Sequence, residues 1–105
     1  MDEKIKEEIA SIKKQIVEKY KPEKIIFFGS ATSGEFGPDS DIDLLIIKKD
    51  VPYYGIDRMR EIRRLIKKNM AVDFLVYRPD EFDERLRLGD PFIKTILEEG
   101  IVLYG

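Results

Sequence analysis

Three aspartates and one Gly-Ser turn are the residues in this chain whose types and spacing suit chemistry. Asp41 and Asp43 stand two apart at the head of the apolar run Asp41-Ile42-Asp43-Leu44-Leu45-Ile46-Ile47. In a strand that spacing puts both carboxylates on one face, with Ile42 and Leu44 on the other. Adjacent carboxylates repel, and at the mouth of a buried strand they are costly without compensation, which a divalent cation supplies. Asp73 interrupts a second apolar run, Met70-Ala71-Val72-Asp73-Phe74-Leu75-Val76-Tyr77. An acid there is expensive unless it has a partner or a task, and an aspartate pair needs a third carboxylate to finish a metal site. Gly29-Ser30 directly follows Lys24-Ile25-Ile26-Phe27-Phe28. If the chain turns from that strand into a short helix, its first N–H groups point outward and suit phosphate oxygens. Gly29 would let the backbone approach closely, and Ser30 would add a hydroxyl.

Composition narrows the chemistry further. The 105 residues include no histidine and no cysteine, which removes imidazole bases, Ser-His triads, thiolate metal sites and disulfides. Carboxylates, tyrosines and lysines are left to do the work. The length fits one domain, residues 1–105, with a modest core. Apolar residues at 43% argue against disorder, and a net charge of −2 argues against direct nucleic-acid binding. The polar N-terminus is no signal peptide, and no apolar run is long enough to span a membrane, so a soluble cytoplasmic protein is expected.

These residues need a scaffold to position them. Ile5, Ile9, Ile12, Ile16 and Tyr20 form an apolar stripe that predicts an amphipathic helix over 2–20, ended by Pro22 acting on Lys21. Strands are expected at 24–28, 41–47 and 70–77, with turn chemistry at Gly37-Pro38-Asp39-Ser40. A second helix is expected over 56–68, with Met59, Ile62, Leu65 and Ile66 inward. Its other face carries Arg58, Arg60, Arg63, Arg64, Lys67 and Lys68, a solvated face or a surface for a triphosphate, RNA or an acidic partner. Short helices at 80–88 and 91–99 and a final strand or extended tail at 101–104 complete the chain.

Several phosphate and metal motifs can be compared with this pattern. No Lys-Ser/Thr pair follows Gly34, so there is no Walker A loop. An EF-hand beginning at Asp39 would need glycine where Leu44 sits, and a helix where a strand is indicated. An aspartyl phosphatase carries its Asp-x-Asp at the end of a strand, whereas here it opens one. A glycosyltransferase Asp-x-Asp stays open, although the chain is short for a sugar-nucleotide enzyme.

Taken together, Gly29-Ser30, Ser40-Asp41-Ile42-Asp43-Leu44 and Asp73 resemble the minimal nucleotidyltransferases of the DNA polymerase beta-like superfamily. Phe27-Phe28 and the closing Glu98-Glu99-Gly100-Ile101-Val102-Leu103-Tyr104 also look like this family, and the resemblance covers nearly the whole chain. It implies an α/β (α+β) fold, a small mixed β-sheet with helices packed mainly on one face. The implied activity is transfer of a nucleoside monophosphate, AMP from ATP or the equivalent from another nucleoside triphosphate, to a hydroxyl. On this resemblance Asp41, Asp43 and Asp73 would hold two Mg²⁺ ions, Asp73 would help deprotonate the acceptor, and Gly29 and Ser30 would hold the β- and γ-phosphates. The implied partner is a HEPN-domain toxin, silenced as by an antitoxin through modification of a tyrosine or through contact. Arginines that the family often places in this turn and loop are Ala31, Ser33 and Gly37 here. That departure implies weaker triphosphate binding or slower turnover, and it keeps open the alternative of a weak or inactive module that neutralises its partner by binding.

Overall fold

The computed structural model describes residues 3–33 and 41–105. The expected turn Gly37-Pro38-Asp39-Ser40, the motif residue Ser40 and the expected helix start at Asp2 lie outside the described residues.

The first apolar stripe forms helix α1, Glu3–Gln15, which buries Ile5, Ile9 and Ile12. It widens into one π-helical turn over Ile16–Tyr20, which keeps Ile16 and Tyr20 buried as well. Pro22 disfavours α geometry at Lys21, and Lys21 adopts the left-handed conformation at φ 57°, its N–H donating to Ile16 O over 3.0 Å. The helix therefore stops where the proline dictates.

Strands β1 (Lys24–Phe28), β2 (Ile42–Ile47), β3 (Val72–Tyr77) and β4 (Ile101–Tyr104) form one sheet in the order β3-β2-β1-β4. β2 runs antiparallel to β1 and parallel to β3, and β4 lies antiparallel on the other side of β1. The parallel pair is joined by helix α2, Gly55–Leu65, as a parallel connection requires a crossover. Helices α3 (Pro79–Arg87) and α4 (Pro91–Glu99) each open with proline in the first turn. Asp90 caps α4 by accepting from Phe92 N at 2.9 Å, and Glu81 accepts from Arg78 N at 2.8 Å to open α3.

Strand alternation divides the core in two. Ile25, Phe27, Ile42, Leu44, Ile46, Val72, Phe74 and Val76 pack beneath α1 and α2. Ile26, Leu45 and Ile47 face the other way and pack with Phe82 of α3 and Ile93 and Ile96 of α4. The larger core thus has its helices on one face, and the short α3–α4 pair adds a smaller second layer opposite. Gly100 makes that layer tight: a Cβ there would overlap the Ile96 carbonyl and the Ile26 side chain. Among the described residues no helix is long and apolar enough to cross a membrane.

Helix α2 corrects part of the sequence reading. Its inward residues are Arg58 and Ile62, with Ile66 just beyond its end, whereas Leu65 is exposed and Met59 only half-buried. Arg58 does not belong to the basic outer face. Its Nη1 lies 2.7 Å from Glu81 Oε1 and 3.0 Å from the Val76 carbonyl, and Nε donates to Pro52 O over 2.6 Å. A guanidinium can be buried when a carboxylate and several carbonyls meet its fork.

Candidate active site

The sheet register brings the sequence-predicted acids together. Phe28 is paired with Asp43 across β1–β2, and Asp43 with Asp73 across β2–β3. Adjacent strands lie about 4.8 Å apart, so Gly29, Asp43 and Asp73 sit in a row across one end of the sheet. The Asp side chains share the face occupied by α3 and α4, as strand alternation from Leu45 and Tyr77 requires. Those two helices cover only the far part of that face. The edge-on contact of Phe28 with Phe92, at 5.7 Å between ring centres, marks where their cover ends.

Gly29 closes β1 at φ +89°, a conformation that favours glycine. A Cβ at this position would overlap the Asp43 carboxylate, so Gly29 also makes room for that acid. The chain then enters the expected short helix, a 3₁₀ turn at Ser30–Ser33, with Thr32 Oγ1 donating to Gly29 O over 2.7 Å. Ser30 is exposed at its first position. Asp41 is exposed just ahead of β2, Asp43 is half-buried and Asp73 is exposed.

Burial pushes the Asp43 carboxyl above its ordinary value, and the charges of Asp73 and then Asp41 push it further. Asp73 Oδ1 stands 4.0 Å from Arg63 Nη2 of α2, both side chains at least half exposed. Among the described residues no three acidic side chains converge into a ready-made metal cage. Arg63 stands close enough to Asp73 to compete for it. The donor set still fits a hard divalent cation such as Mg²⁺: the ligands are carboxylate oxygens, and the half-buried Asp43 would gain most from a positive partner.

The basic residues were legible only as a helix face. Folding selects Arg63 from them and sets it beside Asp73, while Arg58 is withdrawn into the interior. Nothing in the linear spacing of α2 and β3 marks that pairing, because it depends on how the helix lies along the sheet edge. Tyr53 and Tyr54, just ahead of α2, are both exposed and meet edge to face at 5.0 Å.

A mixed sheet carrying acids on adjacent strands beside a Gly-Ser turn is the arrangement that the resemblance to nucleotidyltransferases implies. Residues 9–103 match the family described as Nucleotidyltransferase domain. The chain belongs to this family. It is 37% identical over 82 residues to a protein of Methanocaldococcus jannaschii named "Putative protein adenylyltransferase", covering 77% of each chain. A second protein of that organism with the same designation is 32% identical over 98 residues, covering 93% of this chain and 92% of the relative. The solved structure titled "Crystal structure of a putative nucleotidyltransferase from Sulfolobus solfataricus" superimposes with a TM-score of 0.59 at 26% identity, over 97% of this chain and 86% of that one. Membership of that family makes the protein a nucleotidyltransferase.

Proposed function

We propose that this protein transfers AMP from ATP to a tyrosine hydroxyl of a HEPN-domain partner and silences that partner as an antitoxin, using Asp41, Asp43 and Asp73 with two Mg²⁺ ions. The alignment of Gly29, Asp43 and Asp73 across β1, β2 and β3 carries the reading. It sets a turn suited to phosphates on one side of the acids and leaves the other side open for an acceptor. Names of the relatives support a protein acceptor.

In the proposed reaction the tyrosine oxygen attacks the α-phosphorus and forms the new O–P bond. The bond from that phosphorus to the bridging oxygen of the β-phosphate breaks, and pyrophosphate leaves. The hydroxyl proton passes towards Asp73. Gly29 and Ser30 hold the β- and γ-phosphates, and Asp41, Asp43 and Asp73 would hold the two Mg²⁺ ions. Mg²⁺, when bound, would neutralise charge on the triphosphate and stabilise the entering and leaving oxygens. With that charge neutralised, the work left to the protein is positioning, which needs no histidine.

One observation favours a second reading, a weak or inactive module that neutralises its partner by binding. Asp73 sits close to Arg63, and no closed carboxylate cage forms among the described residues. Incubation with Mg²⁺, each labelled nucleoside triphosphate and the HEPN partner separates the two. Label on a partner tyrosine that is lost with Asp43→Asn is the expected result. A tight complex without label, unchanged in that variant, would establish the binding module instead.

A further inference from the structure

Beyond Asp73, on the outer edge of β3, lies a groove of about 570 Å³ lined by Arg63, Lys67, Lys68, Ala71, Val72 and Asp73, with Ile66 at its base. Its walls come from α2, β3 and the segment between them. β3 is an edge strand, so this groove opens on the side of the acids away from Gly29 and Ser30. We infer that it is the acceptor subsite, and that it selects a protein segment with acidic residues flanking the hydroxyl to be modified. The inference rests on the proposed transfer to a protein and deepens it.

Three observations carry it. Arg63 stands beside Asp73 and offsets its charge toward the groove. Among the described residues neither Lys67 nor Lys68 has a carboxylate within salt-bridge distance, and both are exposed. The segment that bears them is also held in place. Gln15 of α1 donates to Lys67 O and accepts from Lys67 N, each at 2.7 Å, and Glu8 accepts from the backbone and side chain of Asn69. A cationic segment fixed by two clamps from another helix offers preorganised charge, which lowers the ordering cost of binding.

The same surface continues past Lys67 and Lys68 into a second groove that adds Lys14 and Lys19, with Glu18 the one acid among the described residues of its lining. Charge opposite in sign to this track identifies the occupant, and a peptide rather than a polynucleotide fits the balanced charge of the whole chain. Acidic residues on either side of an acceptor tyrosine would meet Lys67 and Lys68 while the hydroxyl reaches Asp73.

The test uses fluorescent peptides with one tyrosine flanked on both sides by glutamates, glutamines or lysines, and a mixed-sequence single-stranded RNA. Binding to the full chain is read by anisotropy, and transfer of labelled AMP is read separately. The glutamate peptide is expected to bind roughly tenfold tighter than the glutamine peptide, an advantage that shrinks with salt. The double variant Lys67→Glu/Lys68→Glu, at exposed positions, is expected to prefer the lysine peptide. Equal binding of all peptides, an unchanged preference in the double variant, or RNA binding tighter than any peptide and lost in that variant would each overturn the assignment. Selective binding without transfer to any peptide keeps the groove and overturns the proposed transfer to a protein tyrosine. Transfer without any preference does the reverse.

Discussion

Asp43 sits at the centre of the row of site residues, and its environment makes two opposite demands on it. Burial and the charges of Asp73 and Asp41 raise its carboxyl above the ordinary 3.8. Because the folded value lies above the unfolded one, this group favours folding below 3.8, and the contribution is lost as pH rises through the raised value. At neutral pH the ionised carboxylate therefore costs stability. Asp43→Asn is expected to raise the melting temperature in the presence of a chelator while lowering nucleotidyl transfer by about 10²–10³-fold. Thermal unfolding at neutral pH checks the first half, and a lower melting temperature would contradict it. Gly29→Ala strains the same site from the other side. The alanine must adopt φ near +89°, and its Cβ overlaps the Asp43 carboxylate. A loss of about 1–2 kcal/mol in urea unfolding is expected from the backbone alone, together with weaker transfer as Asp43 is displaced.

At the scale of elements, Arg58 holds together parts of the chain that are remote in sequence. It joins α2 to the Pro52–Tyr53 carbonyls, to Val76 on β3 and to Glu81 on α3. Removing the guanidinium leaves carbonyls unmet and a carboxylate without its partner. Arg58→Ala is expected to cost about 3–5 kcal/mol, measured as a shift of the urea midpoint, with Arg58→Lys intermediate because lysine lacks the fork. The π turn at the end of α1 makes a contrasting prediction. Burial and the charge of Glu61 push the Tyr20 hydroxyl up to about 12, against the opposing charge of Arg58. Among the described residues that hydroxyl is buried without a hydrogen-bond partner. Tyr20→Phe is therefore expected to leave stability unchanged or raise it by up to about 1 kcal/mol. A clear loss in denaturant unfolding would reveal a partner for the hydroxyl.

For the whole molecule, the charged groups that matter to folding act in opposite directions with pH. Burial pushes Glu81 up, but the hydrogen bonds from Arg58 and the Arg78 N–H, with the charges of both arginines, outweigh it and hold it low. Its stabilising contribution is complete above the ordinary 4.5 and is lost as pH falls through the lowered value. Glu81→Gln should be less stable than the native chain at neutral pH, with the gap closing in acid, as followed by circular dichroism. Much of this molecule was legible in its sequence, because helix and strand periods are local: the Ile5–Tyr20 stripe, the Pro22 stop and the strands follow from residue order, and Gly29, Asp41, Asp43 and Asp73 stand out as candidates on the same ground. The inward face of α2 was not, because a sequence pattern scores arginine as polar, and it is Glu81 on α3 with the carbonyls of Pro52, Tyr53 and Val76 that makes its burial tolerable. Nor was the second layer under α3 and α4, since apolar residues on both sides of a strand do not say which helix covers which side. The sequence by itself determined which elements form and which side chains could act. Only the tertiary structure decided that Gly29, Asp43 and Asp73 stand in one row with Arg63 beside them, because strand order and register are set by contacts between distant segments.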